Sequence, residues 1–223
     1  MSSEPARSSR MPTSSGSPSA KGPAPHEPGL RAGALRCPPR HEAYRSGLAM
    51  PEDLTLRVPR EDEEHEFLRA HRATSPETPN FLHHYREGMP FRRYLEVLAE
   101  QERGFDLPSN HVPSTFLFAF VDTRIVGRVS IRHSLNPFLE RVGGHIGYVV
   151  VPEFRRRGYA TAILRVSLQI AREKCGTLRI LVTCDDDNIG SIRTIEKNGG
   201  ILENIVSGPD LEKPKRRYWI EMG

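Results

Sequence analysis

The pattern of apolar and polar positions changes near residue 50. Before it, the chain holds eight prolines, nine serines and five glycines but no Phe, Trp, Val or Ile. Such a segment cannot bury enough apolar surface to offset the entropy lost on ordering, so we predict that residues 1–50 form a disordered tail, with Met50 as a candidate alternative start. Residues 51–223 carry regular apolar periodicities and are numerous enough for one domain with a sizeable core.

Within residues 51–223, apolar residues at every second position predict strands, and a 3.6-residue period predicts helices. The predicted strands are Leu54–Val58, Phe116–Val121, Ile125–Ile131, His145–Val151, Leu178–Val182, Ile201–Val206 and Arg217–Met222. The predicted helices are Glu61–Arg72, Phe91–Arg103, Ala160–Cys175 and Asn188–Lys197. The resulting order, β-α-α-β-β-β-α-β-α-β-β, contains no internal repeat and predicts a mixed α/β fold.

Charge and cysteine content exclude some function classes. The net charge of +4 comes from the first fifty residues, which hold seven Lys and Arg against three Asp and Glu, whereas the rest holds 25 of each. A neutral domain lacks the basic stripe of a dedicated nucleic-acid-binding protein, so we expect no nucleic-acid partner. Three cysteines without a CxxC motif fit a reducing cytosol, and no apolar stretch is long enough to span a bilayer. We therefore expect a cytoplasmic protein without a membrane partner.

The segment Arg155–Ala160 carries the clearest binding signal. It lies between the end of a predicted strand and the start of a predicted helix, where backbone N–H groups have no helical partner and the helix dipole favours an anion. Gly158 lets the backbone approach a ligand closely, and the small side chain of Ala160 leaves the first turn uncrowded. Three consecutive arginines add charge-assisted hydrogen bonds to phosphate. A pyrophosphate suits this segment.

Arg155-x-x-Gly158-x-Ala160, which follows Val149-Val150-Val151-Pro152, resembles the coenzyme A pyrophosphate motif of the GNAT acetyltransferases. Asn188, Ser191 and Gly199 are similar in spacing to the family's next coenzyme-facing helix. The resemblance covers about residues 116–222 and fits the order of elements. The segments 144–148, 183–188, 196–200 and 217–220 resemble a bacterial branch generally described only as predicted acetyltransferases, which names no substrate.

The resemblance implies an acyl-CoA N-acyltransferase fold and transfer of an acetyl group from acetyl-CoA to a primary amine by direct attack. It implies that the strand through Tyr148 splays from the strand Ile180–Thr183, and that backbone groups near Val149 and Val151 hold the pantetheine arm and polarise the thioester carbonyl. The coenzyme-binding residues carried over are Val149, Val150, Val151, Arg155, Arg156, Arg157, Gly158, Tyr159, Ala160, Thr161, Asn188 and Ser191.

Candidate catalytic residues are less clear. Many family members place a Glu where this chain has His145, which titrates near neutrality and is a candidate general base; the alternative is a packed histidine bonded to backbone. The usual general acid is a Tyr at the position of Ile195. Tyr148 and Tyr218 are the candidate replacements, although each is better explained as a half-buried strand residue that packs its ring.

Other polar residues have simpler explanations. His133 and Asn136 could face the acceptor or serve a turn, and Cys184 fits a buried core thiol better than a nucleophile. The acids Asp185–Asp187 precede a helix and suit its dipole, so we expect no metal. Small polyamines, aminoglycosides, amino acids and protein N-termini all remain open as acceptors, and the chain is expected to be a monomer or a homodimer.

Two other functions are alternatives to acetyl transfer. Because Ile195 replaces the usual acid, the chain could be a non-catalytic acyl-CoA-binding or sensor module, which turnover would distinguish. It could also be a nucleic-acid or surface-interaction protein that uses its basic tail, which would show salt-dependent DNA binding.

Overall fold

The computed structural model describes residues 54–223 and the backbone of the short strand β1 (Tyr44–Arg45). Apart from β1, the predicted tail lies outside the described residues. Strands β2 to β8 are Thr55–Arg57, Ser114–Val121, Arg124–Arg132, Ile146–Val150, Arg179–Asp185, Ile201–Val206 and Lys215–Glu221. Helices α1 to α4 are Glu64–Thr74, Phe91–Arg103, Tyr159–Cys175 and Ile189–Lys197. The predicted elements are confirmed, whereas β1 and a π-helical turn at Leu139–Gly143 were not predicted.

The strands form one mixed sheet in the order β1-β2-β3-β4-β5-β6-β8-β7. Every neighbouring pair is antiparallel except β5 and β6, which run parallel. The expected mixed α/β fold is therefore confirmed. Strand β6 continues to Asp185, beyond its predicted end at Val182, because β8 pairs with it along its whole length. No helix in the described part of the chain is long and apolar enough to cross a membrane.

Each face of the sheet has its own core. Helix α3 packs on one face, where Ile163, Leu164 and Val166 are buried among aliphatic strand residues. Helices α1 and α2 cover the other face with aromatic side chains, and the Phe67 ring lies 4.8 Å from that of Phe91 and 5.6 Å from that of Phe118. The central strands of the sheet are therefore covered on both faces, whereas the edge strand β7 is exposed.

Helix α2 shows why these segments fold as they do. Its buried residues Phe91, Tyr94, Leu98 and Gln101 recur every three or four positions, so they form one stripe that faces the sheet. The helix ends at Gly104, whose φ of 71° is the left-handed conformation of a helix C-terminus.

We expect Phe67→Ala to destabilise the chain by about 3–5 kcal/mol, since Phe67 is fully buried and the substitution leaves a cavity. Urea unfolding of the full chain measures this change. Phe105→Ala is the matched control: Phe105 is 68% exposed, so the same truncation should change stability by less than about 0.5 kcal/mol. Equal effects would contradict the placement of the aromatic core.

Candidate active site

The parallel strands β5 and β6 diverge after a single pair of facing residues, Ile146 and Val182. The point of divergence is held by His145, whose N–H donates to the Leu181 carbonyl at 2.7 Å and whose Nδ1 accepts from the Leu181 N–H at 3.0 Å. Gly144 allows this approach, because a Cβ there would lie 2.7 Å from the Leu181 carbonyl oxygen. Beyond this point the strands leave a fork, as the resemblance implied.

The backbone groups that face the fork differ from those expected. The Val151 N–H donates to the Val126 carbonyl of β4 at 3.0 Å. Hydrogen-bonded pairs alternate along an antiparallel ladder, so Val149 also turns its N–H and C=O toward β4. The peptide groups that face the fork are therefore those of Tyr148 and Val150.

The loop after β5 forms a cradle of backbone N–H groups. Arg156 and Gly158 have φ values of 63° and 86°, both left-handed. Left-handed residues in such a turn direct successive N–H groups inward, which is the geometry of an anion-binding nest. Gly158 is also the N-cap of the 17-residue helix α3, and no side chain caps that end. The first turn is thus open to an anion at the positive end of the helix dipole.

The arginines of this loop have different partners. Arg155 forms an ion pair with Glu77, and its Nε donates to the Val150 carbonyl at 3.3 Å. Arg156 and Arg157 are exposed. Because the Arg155 and Glu77 side chains are both largely exposed, their ion pair contributes little to stability, and a phosphate can replace the carboxylate at small cost.

The other residues carried over for coenzyme binding lie at the starts of helices α3 and α4. Tyr159–Thr161 form the first turn of α3, and the Thr161 carbonyl accepts from Asn198 Nδ2 at 3.3 Å, which ties α3 to α4. Asn188 caps α4, since its Oδ1 accepts from the Ser191 N–H at 3.0 Å. The first turn of α3 therefore contacts the C-terminal end of α4, whereas Asn188 and Ser191 lie at the start of α4.

Of the two candidate tyrosines, Tyr148 lies in the fork. Its hydroxyl is buried near Ser191 and Thr194 but makes no hydrogen bond of good geometry within the described residues, and burial raises its pKa to about 12. The Tyr218 hydroxyl lies 3.4 Å from Glu196 Oε1, with a pKa also raised by burial. Of the two hydroxyls, that of Tyr148 is therefore the less well satisfied by the described residues.

The contacts of His145 are those of a packed histidine that is hydrogen-bonded to backbone. Its Nδ1 lone pair is occupied by the Leu181 N–H, so the neutral ring carries its proton on Nε2. Burial lowers its pKa, and the charge of Arg132 acts in the same direction. With its Nδ1 lone pair occupied, the neutral His145 ring has no lone pair available to take a proton from an acceptor.

The remaining polar candidates have local partners. His133 Nε2 lies 2.8 Å from Thr115 Oγ1. Asn136 Oδ1 accepts from the Leu139 N–H at 2.9 Å and so caps the π-helical turn, which is the turn role. Cys184 is buried, and burial raises its pKa to about 11, as in an inert core thiol.

The three consecutive acids are each paired with a cation. Asp185 pairs with Lys215, Asp186 with Arg216 and Asp187 with Lys213. Within residues 54–223, no group of three His, Cys, Asp or Glu side chains has a geometry that could hold a metal ion. The acids thus tie the strand end to the neighbouring strand and its preceding loop.

Sequence reasoning did not find a cavity of about 230 Å³ on the face covered by α1 and α2. It is lined by His83, His84, Leu98, Gln101, Asn110, His111, Val112, Ser114, Phe116, Ser130, Arg132, Phe138 and Leu139. The Arg132 guanidinium lies against β5, since a Cβ on Gly147 would be 3.7 Å from its Nη1. The cavity therefore adjoins the fork from the side opposite α3. In the sequence, the pair His83-His84 in the loop between two helices could have indicated this cavity.

A sheet that forks between two parallel strands, with an uncapped helix N-terminus after the first, defines the class of acyl-CoA N-acyltransferases. The chain belongs to the GNAT acetyltransferase family: the family model described as "Acetyltransferase (GNAT) domain" matches residues 53–201. It is thus an acyltransferase that depends on acetyl-CoA. No curated protein matches the chain significantly.

Solved structures share the fold at low sequence identity. RimL, a ribosomal L7/L12 alpha-N-protein acetyltransferase in complex with coenzyme A, is 14% identical with a TM-score of 0.58, over 81% of this chain and 98% of that one. The microcin C7 self-immunity acetyltransferase MccE, in complex with acetyl-CoA and AMP, is 16% identical with a TM-score of 0.56, over 76% and 92%. RimJ of Mycobacterium smegmatis is 18% identical with a TM-score of 0.56, over 76% and 82%.

Replacing His145 should change how stability depends on pH. Its pKa in the folded chain is lowered, so it favours folding above the ordinary histidine pKa and loses that contribution as pH falls below about 6.5. His145→Asn keeps an acceptor for the Leu181 N–H and should reduce the loss of stability between pH 7.5 and 5.5, measured by urea unfolding. His65→Asn, at an exposed position on α1, should leave that loss unchanged.

The same variant separates packing from catalysis. With any amine that supports turnover, His145→Asn should retain kcat within about tenfold, whereas loss of a general base costs about 10²–10⁴-fold. A loss of kcat of about 10²–10⁴-fold would instead indicate that His145 is the general base.

Proposed function

We propose that the chain transfers an acetyl group from acetyl-CoA to the primary amine of an acceptor by direct attack. One observation carries the proposal: a buried hydroxyl without a hydrogen bond of good geometry, that of Tyr148, lies in a fork of the sheet that is followed by a loop suited to an anion. Acetyl-CoA carries a thioester at one end of its pantetheine arm and a diphosphate at the other, which suit the hydroxyl and the loop respectively. The family membership supports the same chemistry.

The coenzyme's parts correspond to separate groups of the chain. The diphosphate would accept from the N–H groups of Arg156–Thr161 and from exposed arginine side chains. The pantetheine arm would lie in the fork against the peptide groups of Tyr148 and Val150. Asn188 and Ser191, at the start of α4, would border it on the other side.

The transfer forms a C–N bond between the acceptor nitrogen and the acetyl carbon and breaks the C–S bond. The nitrogen loses one proton and the departing thiolate gains one, so no further reactant is needed. The Val150 N–H would donate to the carbonyl oxygen as its charge grows. Tyr148, whose pKa is about 12, stays protonated at neutral pH and would donate to the thiolate.

Membership of the family does not identify the acceptor. The printed descriptions of the structural neighbours include an alpha-N-protein acetyltransferase and a complex with acetyl-CoA and AMP. Protein N-termini and small amines are both candidates for this chain. The cytoplasmic location and the monomeric or homodimeric state stay predictions.

A non-catalytic acyl-CoA sensor is the second candidate, and one observation favours it. Ile195, at the position of the family's usual acid, is fully buried and has no proton to give. Tyr148 approaches the same region from β5, near Thr194 of α4. Turnover with an amine separates an enzyme that uses Tyr148 from a sensor.

Gly158→Glu should abolish acetyl-CoA binding, because it places a carboxylate in the anion cradle and adds a side chain at a φ of 86°. Isothermal titration of acetyl-CoA into the full chain measures this. Gly176→Glu is the matched control: it lies at the other end of α3, has a φ of 60°, and a Cβ there meets nothing within 4 Å. We expect the control to bind like the unaltered chain. If the folded, unaltered chain did not bind acetyl-CoA, the proposal would be wrong.

Tyr148→Phe should lower kcat by about 10²-fold, the smaller effect expected for loss of a general acid, with little change in acetyl-CoA affinity. Tyr218→Phe removes a hydroxyl that already lies near Glu196, and should lower kcat far less. Release of free thiol with an amine acceptor gives both values. Equal effects would assign both hydroxyls a packing role.

A further inference from the structure

The cavity lined by His83 and Arg132 has a floor formed by one face of β4. Arg128, Ser130 and Arg132 occupy alternate positions, so their side chains leave the same face of the sheet. The Arg132 side chain therefore lines the cavity, and the Arg128 guanidinium lies 5.3 Å from the centre of the Phe116 ring, which also lines it.

Neither guanidinium has a counterion in the part of the chain that the structure describes. Arg128 is only 7% exposed, donates from Nη2 to the Asn80 carbonyl at 3.2 Å and has no partner for its buried Nε. Arg132 donates from Nη1 to the carbonyls of Gly143 and Gly144, each at 3.1 Å. Their contacts are carbonyl dipoles, which leave both charges uncompensated.

The charges act on the groups around the cavity. Burial, followed by the charges of Arg128 and Arg132, lowers the pKa of His83 to about 4, and His84 and His111 act in the same direction. Burial, followed by the charge of Arg132, lowers the pKa of Arg128 to about 10. None of the residues that line the cavity is Asp or Glu. The space is therefore electropositive and bordered by hydrogen-bond donors.

An uncompensated buried charge is costly unless a ligand supplies the opposite charge. A guanidinium recognises carboxylate and phosphate in particular, because its N–H groups match two oxygens at once. Arg132 also lies against Gly147 of β5, one residue beyond the point where the fork opens. An anionic group bound here would hold the rest of its molecule near the proposed site of acetyl transfer.

We propose that the acceptor amine carries an anionic group, a carboxylate or a phosphate monoester, which binds in this cavity over Arg128 and Arg132. The inference rests on the proposed function and specifies its acceptor. The additional ammonium groups of a polyamine or an aminoglycoside would be repelled by these two guanidinium groups, which disfavours both classes of acceptor.

Binding is tested with succinate as the carboxylate probe and succinamide as its neutral analogue. An opposite charge at this distance raises a depressed pKa, so succinate should raise the pKa of His83 by about one pH unit or more, followed through its ring proton resonances in the full chain. Succinamide should leave it unchanged. Since His83 is surrounded by Arg128, Arg132, His84 and His111, a packing role alone predicts no response to either probe.

Turnover is tested with acceptor pairs that differ by one anionic group: β-alanine against β-alaninamide, and O-phosphoethanolamine against ethanolamine. The anionic member should have a kcat/KM at least about tenfold higher, the smaller effect expected for a close charge contact. Arg132→Gln should remove the preference and Arg132→Lys should retain part of it. Arg92→Gln, at an exposed position on α2, should leave it unchanged. The pair with the larger ratio identifies carboxylate or phosphate as the preferred group.

Failure of the anionic-acceptor proposal can be distinguished from failure of the proposed acetyl transfer. If acetyl-CoA binds and the neutral amines are acetylated as well as the anionic ones, or better, the anionic acceptor is wrong and the acetyltransferase proposal stands. If the folded chain binds no acetyl-CoA, the proposed function fails first.

Discussion

The site depends on one constraint, the single pair of facing residues between the parallel strands β5 and β6. Each of these strands has an antiparallel neighbour on its other side, β4 for β5 and β8 for β6. Both strands therefore stay hydrogen-bonded in the sheet where they separate from each other. His145 and Gly144 fix the point of separation by contacting Leu181 through both backbone and ring. Everything proposed for the thioester, from the Val150 N–H to the Tyr148 hydroxyl, lies just beyond that point.

The fork also explains why a histidine suits position 145. A ring nitrogen accepts the N–H that a normal parallel partner would have received through a carbonyl, so the strands can begin to part while their backbone groups stay paired. Burial lowers the pKa of the ring and so favours the neutral form that this contact requires. The residue that the family comparison offered as a base is thus better explained as the group that shapes the site.

The sequence predicted features that follow from local rules. Arg155–Ala160 combines a strand end, a glycine and a helix start, and the structure places left-handed residues and an uncapped helix there. The orientation of backbone groups was not predictable, since it depends on the register with β4, and Val149 and Val151 proved to face that strand. The cavity over Arg128 was also missed, because it joins a loop, a helix and two strands that are distant in sequence.

The two anion-attracting regions differ in what they cost the folded chain. The coenzyme loop is exposed, so its arginines stay hydrated and it uses backbone dipoles that every helix end provides. Arg128 is instead buried and Arg132 half-buried, and burial followed by the charge of Arg132 lowers the pKa of Arg128. Packing alone would be better served at position 128 by an apolar residue among the neighbouring aromatic rings. A chain that retains two such charges next to its fork gives up stability at the place where a negatively charged acceptor would restore it.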